Sequence, residues 1–318
     1  MMKPINETLG KLTNSEDFKR RYELLKKKVL SHPEVRSFLQ KHENIVTQEM
    51  IDRSLMKLYE FMEQSKNCHQ CQSLQDCQNI LKGYHPHLAI RNNMIDIQYE
   101  PCPTKAAHDE RKRQESLIQS MFMPREILKA SFSNIELVEG GKTNESRMRA
   151  VELAESFVSE YAPGKNMKAL YLYGKFGVGK TYILGAIANA LAKKNVSSLL
   201  VYVPEFFREL KSSFQDQTIS EKLDYVKKVP VLMLDDIGAE SMSSWIRDDI
   251  LGPILQYRML ENLPTFFTSN FDFQELVHHL SYSQRGEEEQ VKAARVMERI
   301  RYLAQPVEIK GKNRRLES

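Results

Sequence analysis

The chain has 318 residues, 41% hydrophobic and 28% charged, with a formal charge of +4 at neutral pH. That is the balance of a globular protein with room for two domains, and no apolar run is long enough to span a bilayer. The mild positive charge permits nucleic-acid contact without arguing for it. Met1 to Leu12 lacks the charged-then-apolar pattern of a signal peptide, so a cytoplasmic location is expected, with the four cysteines reduced and better suited to metal ligation than to disulfides.

Phe18 to Gln40 carries apolar residues at helical spacing among many Lys, Arg and Glu. Thr47 to Gln64 does the same, with Ile51, Leu55, Leu58, Tyr59 and Met62 on one side, so the two segments predict a small helical hairpin. Thr47 stands at the N-cap of the second helix, with Met50 where a capping box needs Glu. His32 and His42 have no evident nucleophile or carboxylate beside them and read as solvated positions.

All four cysteines fall between Cys68 and Cys102. Cys68-His69-Gln70-Cys71 has CxxC spacing, which lets two thiolates on one tight turn grip a single Zn²⁺. His69, Cys77, His85, His87 and Cys102 are the remaining candidates, and spacing does not choose among them. Without a second CxxC, a set of reduced, partly buried thiols is the competing reading. Lys105 to Gln119 is polar and basic and reads as an exposed helix or linker.

From Phe132 onward the composition turns apolar and alternates in type. Ala169–Tyr173, Ser198–Val203, Val229–Leu234, Thr265–Ser269 and Val307–Ile309 read as strands with helices between most of them. That order predicts an α/β fold with a parallel sheet and a ligand at the carboxyl ends of its strands. The expected domains are 1–104, a linker over 105–131, and 132–318.

Gly174-Lys175-Phe176-Gly177-Val178-Gly179-Lys180-Thr181 fits GxxxxGK[ST] between a strand and a helix. The glycines let backbone N–H groups converge on phosphate oxygens, and the helix adds its positive end. Lys180 supplies a point charge for the β/γ-phosphates and Thr181 a hydroxyl for Mg²⁺. Val231 to Asp236 delivers two carboxylates at the end of a buried strand. Asp235 is expected to hold Mg²⁺, and Asp236 to orient or deprotonate the attacking water. Asn270 closes the next strand, placed either to bond the γ-phosphate or the water, or merely to form a turn.

Arg295 and Arg299 share a face of a helix predicted over Val291 to Leu303, with Arg301 nearby. Such an arginine can stabilise charge on a neighbouring subunit's γ-phosphate, and salt bridging to Glu287–Glu289 or Glu298 is the plainer alternative. Glu205 to Phe214 sets aromatics beside cations, a mix able to stack bases and neutralise phosphates. Phe206 and Phe207 read better as core.

The P-loop, Asp235-Asp236-Ile237-Gly238, Ser269-Asn270 and Arg295-Val296-Met297-Glu298-Arg299 together resemble the AAA+ ATPases of the bacterial helicase-loader group. The resemblance extends over nearly the whole chain, including the cysteine-bearing segment. It implies a P-loop AAA+ domain with a reduced or absent lid, since little chain remains after Ile309, behind a small helical zinc-binding domain. It makes Asn270 the sensor 1 residue, Arg299 the arginine finger and Arg314 a sensor-2-like contact to nucleotide. It also implies a structural zinc held by Cys68, Cys71, His85 and Cys102, with Cys77 as the alternate.

Lys211 and Phe214 match the insertion that lines a single-strand channel in such loaders, and Ser243 and Trp245 match other DNA-contacting positions. The cofactors implied are ATP/ADP, Mg²⁺ and Zn²⁺. The partners are the hexameric replicative helicase, single-stranded DNA and further copies of the chain through AAA+ interfaces, with no membrane. The expected function is ATP-dependent delivery of the helicase to single-stranded DNA, with slow ATP hydrolysis. The alternatives are an AAA+ regulator of DNA transposition, or a nucleotide-gated adaptor with little turnover. Asp236, where most AAA+ ATPases have Glu, keeps the adaptor open.

Overall fold

The computed structural model describes residues 16–64, 73–77, 79–212, 218–240, 243–282 and 289–314. The chain forms two compact units, Met1–Arg111 and Lys112–Ser318. The first contains α1 (Glu16–Leu30), α2 (Pro33–Lys41), α3 (Gln48–Arg53), α4 (Leu55–Glu63) and an antiparallel hairpin of β1 (Tyr84–Arg91) and β2 (Met94–Pro101).

Each helix expected in this unit is broken in two. Pro33, at the start of α2, lacks the N–H that would carry α1 onward. Thr47 caps α3 by accepting from Met50 N–H at 3.3 Å, and the break at Ser54 frees a hydroxyl that accepts Ile95 N–H from β2 at 2.8 Å. The unit is therefore not purely helical, as the sequence had suggested. The hairpin turns at Asn92-Asn93, both with positive φ, a conformation that asparagine tolerates and two-residue hairpins require. Ile95 and Ile97 pack with Val29, Val35, Leu55, Leu58 and Phe61 into its core.

The unit boundary falls within α5 (Pro103–Leu117), which buries none of its side chains. The stretch 105–131, read as a linker, is structured. It continues into β3 (Ile118–Met121), which pairs in parallel with the sheet of the second unit, and then into a turn at Ile127–Lys129. The short strands β4 (Val138–Glu139) and β5 (Lys142–Thr143) follow, then α6 (Glu145–Glu160), whose cap Asn144 accepts Arg147 N–H at 3.1 Å.

The remaining elements are β6 (Ala169–Tyr173), α7 (Lys180–Lys193), β7 (Ser198–Tyr202), α8 (Val203–Ser212), α9 (Thr218–Lys228), β8 (Val231–Asp235), a π-helical turn at Ile246–Leu251, α10 (Gly252–Leu260), β9 (Thr265–Ser269), α11 (Phe273–Ser281), α12 (Gln290–Leu303) and β10 (Ala304–Glu308). The sheet runs β10-β6-β9-β8-β7-β3 with every pairing parallel. Its strands read as continuous apolar runs because both faces are covered. Val231 and Met233 pack with Leu200 and Ile187 on one face, and Leu232 and Leu234 with Phe206, Ile254 and Met297 on the other. The carboxyl ends of β6, β8 and β9 thus meet at one edge of a double-sided core. Among the described residues no helix is long and apolar enough to cross a membrane.

Candidate functional site

The loop from Gly174 to Gly179 links β6 to α7, and α7 begins at Lys180. Gly174, Gly177 and Gly179 all adopt positive φ, which lets the loop fold back over the strand ends. It borders a cavity of about 720 Å³ lined also by Asp235, Asp236, Thr268, Asn270 and Arg314.

Lys180 is buried, and its ammonium donates to the carbonyls of Gly174 at 2.7 Å and Lys175 at 2.9 Å and to Asn270 Oδ1 at 2.8 Å. Asn270 Nδ2 in turn donates to Asp236 Oδ1 at 3.2 Å. Asp236 holds a left-handed backbone (φ 62), which an aspartate tolerates better than most side chains. Its N–H donates to Thr268 Oγ1 at 2.8 Å.

A second chain of bonds runs through Asp235. Thr181 Oγ1 donates to Asp235 Oδ1 at 2.8 Å, and Thr268 Oγ1 donates to the same oxygen at 2.6 Å. Burial holds the Asp235 carboxyl above its usual range, against the two hydroxyl donors and the more distant Lys180 charge. A buried carboxylate paired with a threonine hydroxyl is an oxygen donor set of the kind Mg²⁺ takes together with phosphate oxygens.

The opposite wall comes from residues the sequence reading did not assign: Phe122, Met123, Pro124, Ile127 and Ile135. Gly185 positions it, since a Cβ there would overlap the Ile127 carbonyl, and Asn189 Nδ2 donates to Leu128 O at 3.0 Å. Apolar side chains facing a charged loop suit a base at one end of the cavity and phosphates at the other. The signal was faint, because this wall lies well ahead of the P-loop strand and carries no motif.

Arg314 lies at the cavity, with its N–H on Gly177 O at 3.1 Å and its guanidinium on Glu136 Oε2 at 3.1 Å. Arg299 does not line the cavity. It is half-buried on α12 and donates to Gly252 O at 2.8 Å. Arg295 is exposed, and Arg301 lies over the Phe273 ring. Glu289 pairs with Arg247 and Lys292.

Lys211 is exposed at the end of α8, while Phe206 and Phe207 are core, as expected. Ser243 accepts Ile246 N–H at 3.3 Å, and Trp245 packs half-buried against the core. Phe214 lies outside the described residues, as do Cys68 and Cys71. Cys102 is buried, Cys77 partly so. Among the described residues no group of three or more His, Cys, Asp or Glu is arranged to hold a metal.

Residues 2–99 match the family of primosomal protein DnaI N-termini, and residues 128–252 match the bacterial DnaA ATPase domain. The chain is 52% identical to the replicative helicase loader DnaI of Bacillus subtilis over 99% of both chains. It is 28% identical to the replicative helicase loader DnaC of Escherichia coli over 68% of this chain and 82% of that one. A crystal structure of DnaI, 69% identical, superposes with a TM-score of 0.56 over 64% of this chain and 99% of that one.

Proposed function

The chain belongs to the DnaI family of replicative helicase loaders, and from that premise we propose that it delivers the replicative helicase to single-stranded DNA under the control of Mg-ATP. The observation that carries the nucleotide half is the convergence of two hydrogen-bond chains, Lys180–Asn270–Asp236 and Thr181–Asp235–Thr268, on one cavity. Gly174 to Gly179 wraps the phosphates, and Lys180 exchanges its carbonyl and amide partners for phosphate oxygens. Thr181 and Asp235 hold Mg²⁺, which when bound neutralises phosphate charge. Asn270 orients Asp236, and Asp236 positions water for attack on the terminal phosphate. The base lies against Phe122, Met123 and Ile135. Calorimetry of the full chain with Mg-ATP, followed by phosphate release, tests this reading. A folded protein that takes up no ATP would refute it. Binding with turnover at background would favour the nucleotide-gated adaptor.

The first unit is the helicase-docking module. Its match to the DnaI N-terminal family supports this, and co-purification with replicative helicase tests it. The full chain should retain helicase, and residues 112–318 alone should not. In this unit Cys68, Cys71, His85 and Cys102 hold zinc as a structural crosslink. The described half of the set fits. Cys102 N–H bonds Gly83 O at 2.8 Å, which extends the pairing of Tyr84 with Pro101 by one residue. Strand alternation then sets His85 and Cys102 on one face. Cys102 Sγ accepts Lys105 N–H at 3.4 Å, which fixes where the sulfur sits at the start of α5. Cys77 Sγ accepts Gly83 N–H at 3.3 Å at the same end of the hairpin, so Cys77 stays the alternate ligand. Elemental analysis should find about one zinc per chain, lost in Cys102→Ser and kept in Cys77→Ser.

Lys211, Phe214, Ser243 and Trp245 form the single-strand contact. In a DNA titration, unchanged affinity in both Lys211→Ala and Trp245→Ala would remove that assignment. Arg299 serves a nucleotide in a neighbouring copy, because in its own subunit it is bonded away from the cavity.

A further inference from the structure

The residues that follow β10 turn back across the nucleotide loop. Ile309 N–H donates to Tyr173 O at 2.8 Å at the root of the loop. Lys310 is held from both sides. Its N–H donates to Ser146 Oγ at 2.9 Å, and its carbonyl accepts Asn144 Nδ2 at 2.9 Å. Lys312 N–H donates to Glu139 Oε1 at 2.6 Å. Arg314 N–H closes onto Gly177 O at 3.1 Å, inside the P-loop itself. Two glycines of that loop are pressed so closely that neither has room for a Cβ. Gly174 lies against the Ile309 carbonyl, and Gly177 against the Asn313 carboxamide.

The segment is anchored at Glu139, which also holds the start of α6. Glu139 Oε2 accepts Asn144 Nδ2 at 3.0 Å and Arg147 Nη2 at 3.5 Å, leaving Oε1 for Lys312. The Asn144 bond, then the Lys312 N–H, hold the Glu139 carboxyl below its usual range, so it is ionised at neutral pH. Arg147 is almost fully buried and also donates to Glu136 O at 3.0 Å. The result is a rigid abutment at the head of α6, a strap across it, and the P-loop beneath the strap.

We propose that residues 309–314 brace the P-loop in its nucleotide-ready conformation before nucleotide arrives, with Asn313 bearing on the loop and Glu139 anchoring the brace. Both are positioning residues. The proposal rests on the Mg-ATP reading of the cavity. A glycine-rich loop loses conformational entropy when it closes on phosphate, and affinity falls by the fraction of time the loop is not ready. The brace has already fixed the turn at Gly177. Its Arg314 N–H takes up the Gly177 carbonyl of the loop.

The test uses the full chain and two readouts: the Kd for Mg-ATP by calorimetry, and hydrogen exchange of the 174–179 amides without nucleotide. Asn313→Ala and Glu139→Ala should each weaken ATP roughly tenfold and speed apo exchange in the loop, with turnover at saturating ATP unchanged. Glu139→Gln keeps an acceptor for Lys312 N–H and should stay within about twofold of wild type in Kd. If Glu139→Ala does not fold, the partly exposed Asn313 carries the test. Unchanged Kd and exchange in the alanine variants overturns the brace alone. Raised Kd with unchanged exchange means direct contact with nucleotide and also overturns it. A wild type that binds no Mg-ATP removes the nucleotide reading and the brace together.

Discussion

Lys180 donates to the carbonyls of Gly174 and Lys175 and to the amide oxygen of Asn270. These neutral acceptors are weaker than a phosphate, so nucleotide displaces them at little cost. Lys180→Ala should raise the Kd for Mg-ATP roughly 100-fold, read by calorimetry. Asp235 responds to pH in a definite sense. Burial raises its folded pKa, so without metal the ionised carboxylate costs stability that is regained as pH falls through the raised value. Magnesium needs the ionised form, so Mg-ATP affinity should decline as pH drops from neutral toward that value. Asp235→Asn should remove this decline and the magnesium dependence while leaving the nucleotide-free protein at least as stable. Glu240 carries a similar penalty outside the cavity. Burial pushes its carboxyl up to about 7, opposed by Lys211 and Arg208, and one of its buried oxygens lacks a hydrogen bond. An acid with a raised folded pKa destabilises once ionised, so the cost grows from the unfolded value near 4.5 and is complete above about 7. Glu240→Gln should raise the melting temperature at pH 8 and flatten its pH dependence across that window.

At the scale of elements, the sheet was legible in the sequence because its strands are apolar runs closed by turn residues. Tyr173, Asp235 and Ser269 end their strands where polarity begins. The elements that escaped are those whose stability comes from a partner. β3 is a four-residue edge strand with only two half-buried positions, so it has almost no period of its own. The hairpin of β1 and β2 carried a readable sign in Asn92-Asn93, a pair suited to the positive φ of a two-residue turn. The cavity's apolar wall is fixed by Gly185, a glycine inside a helix, where close approach is invisible until the Ile127 carbonyl is seen against it. Gly185→Ala must push that turn outward. It should weaken ATP binding while the helix itself, with a better helix former, holds. Arg258 is another device that no pattern announces. Fully buried on α10, it donates to Lys227 O, Val229 O, Pro264 O and Thr265 Oγ1, closing the end of α9 and the entry to β9. Lysine has neither the planar fork nor enough donors for these acceptors. Arg258→Lys should cost about 2–4 kcal/mol in urea unfolding.

Arg299, as an arginine finger, makes a demand that no single chain can satisfy. Arg299 is bonded to Gly252 O, and neither it nor its helix α12 contributes to the cavity that holds Lys180. A guanidinium that assists ATP hydrolysis from there must act on the nucleotide of another copy. On the trans role proposed for Arg299, each active site would need two chains: one to supply Lys180 and Asp235, the other to supply Arg299. The two defects are separable. Arg299→Ala should bind Mg-ATP with wild-type affinity and lose turnover by at least about tenfold, because an arginine finger acts on transition-state charge. Lys180→Ala should lose both binding and turnover, yet it still carries an intact Arg299. Mixing the two inactive proteins should restore phosphate release toward a fraction of the wild-type rate, rising with total concentration as copies assemble. Mixtures that stay at background, although each variant still assembles with wild type, would mean that Arg299 serves only the packing of α12 against α10. In that case the turnover lost in Arg299→Ala would be accompanied by a lowered melting temperature, which the trans reading does not require.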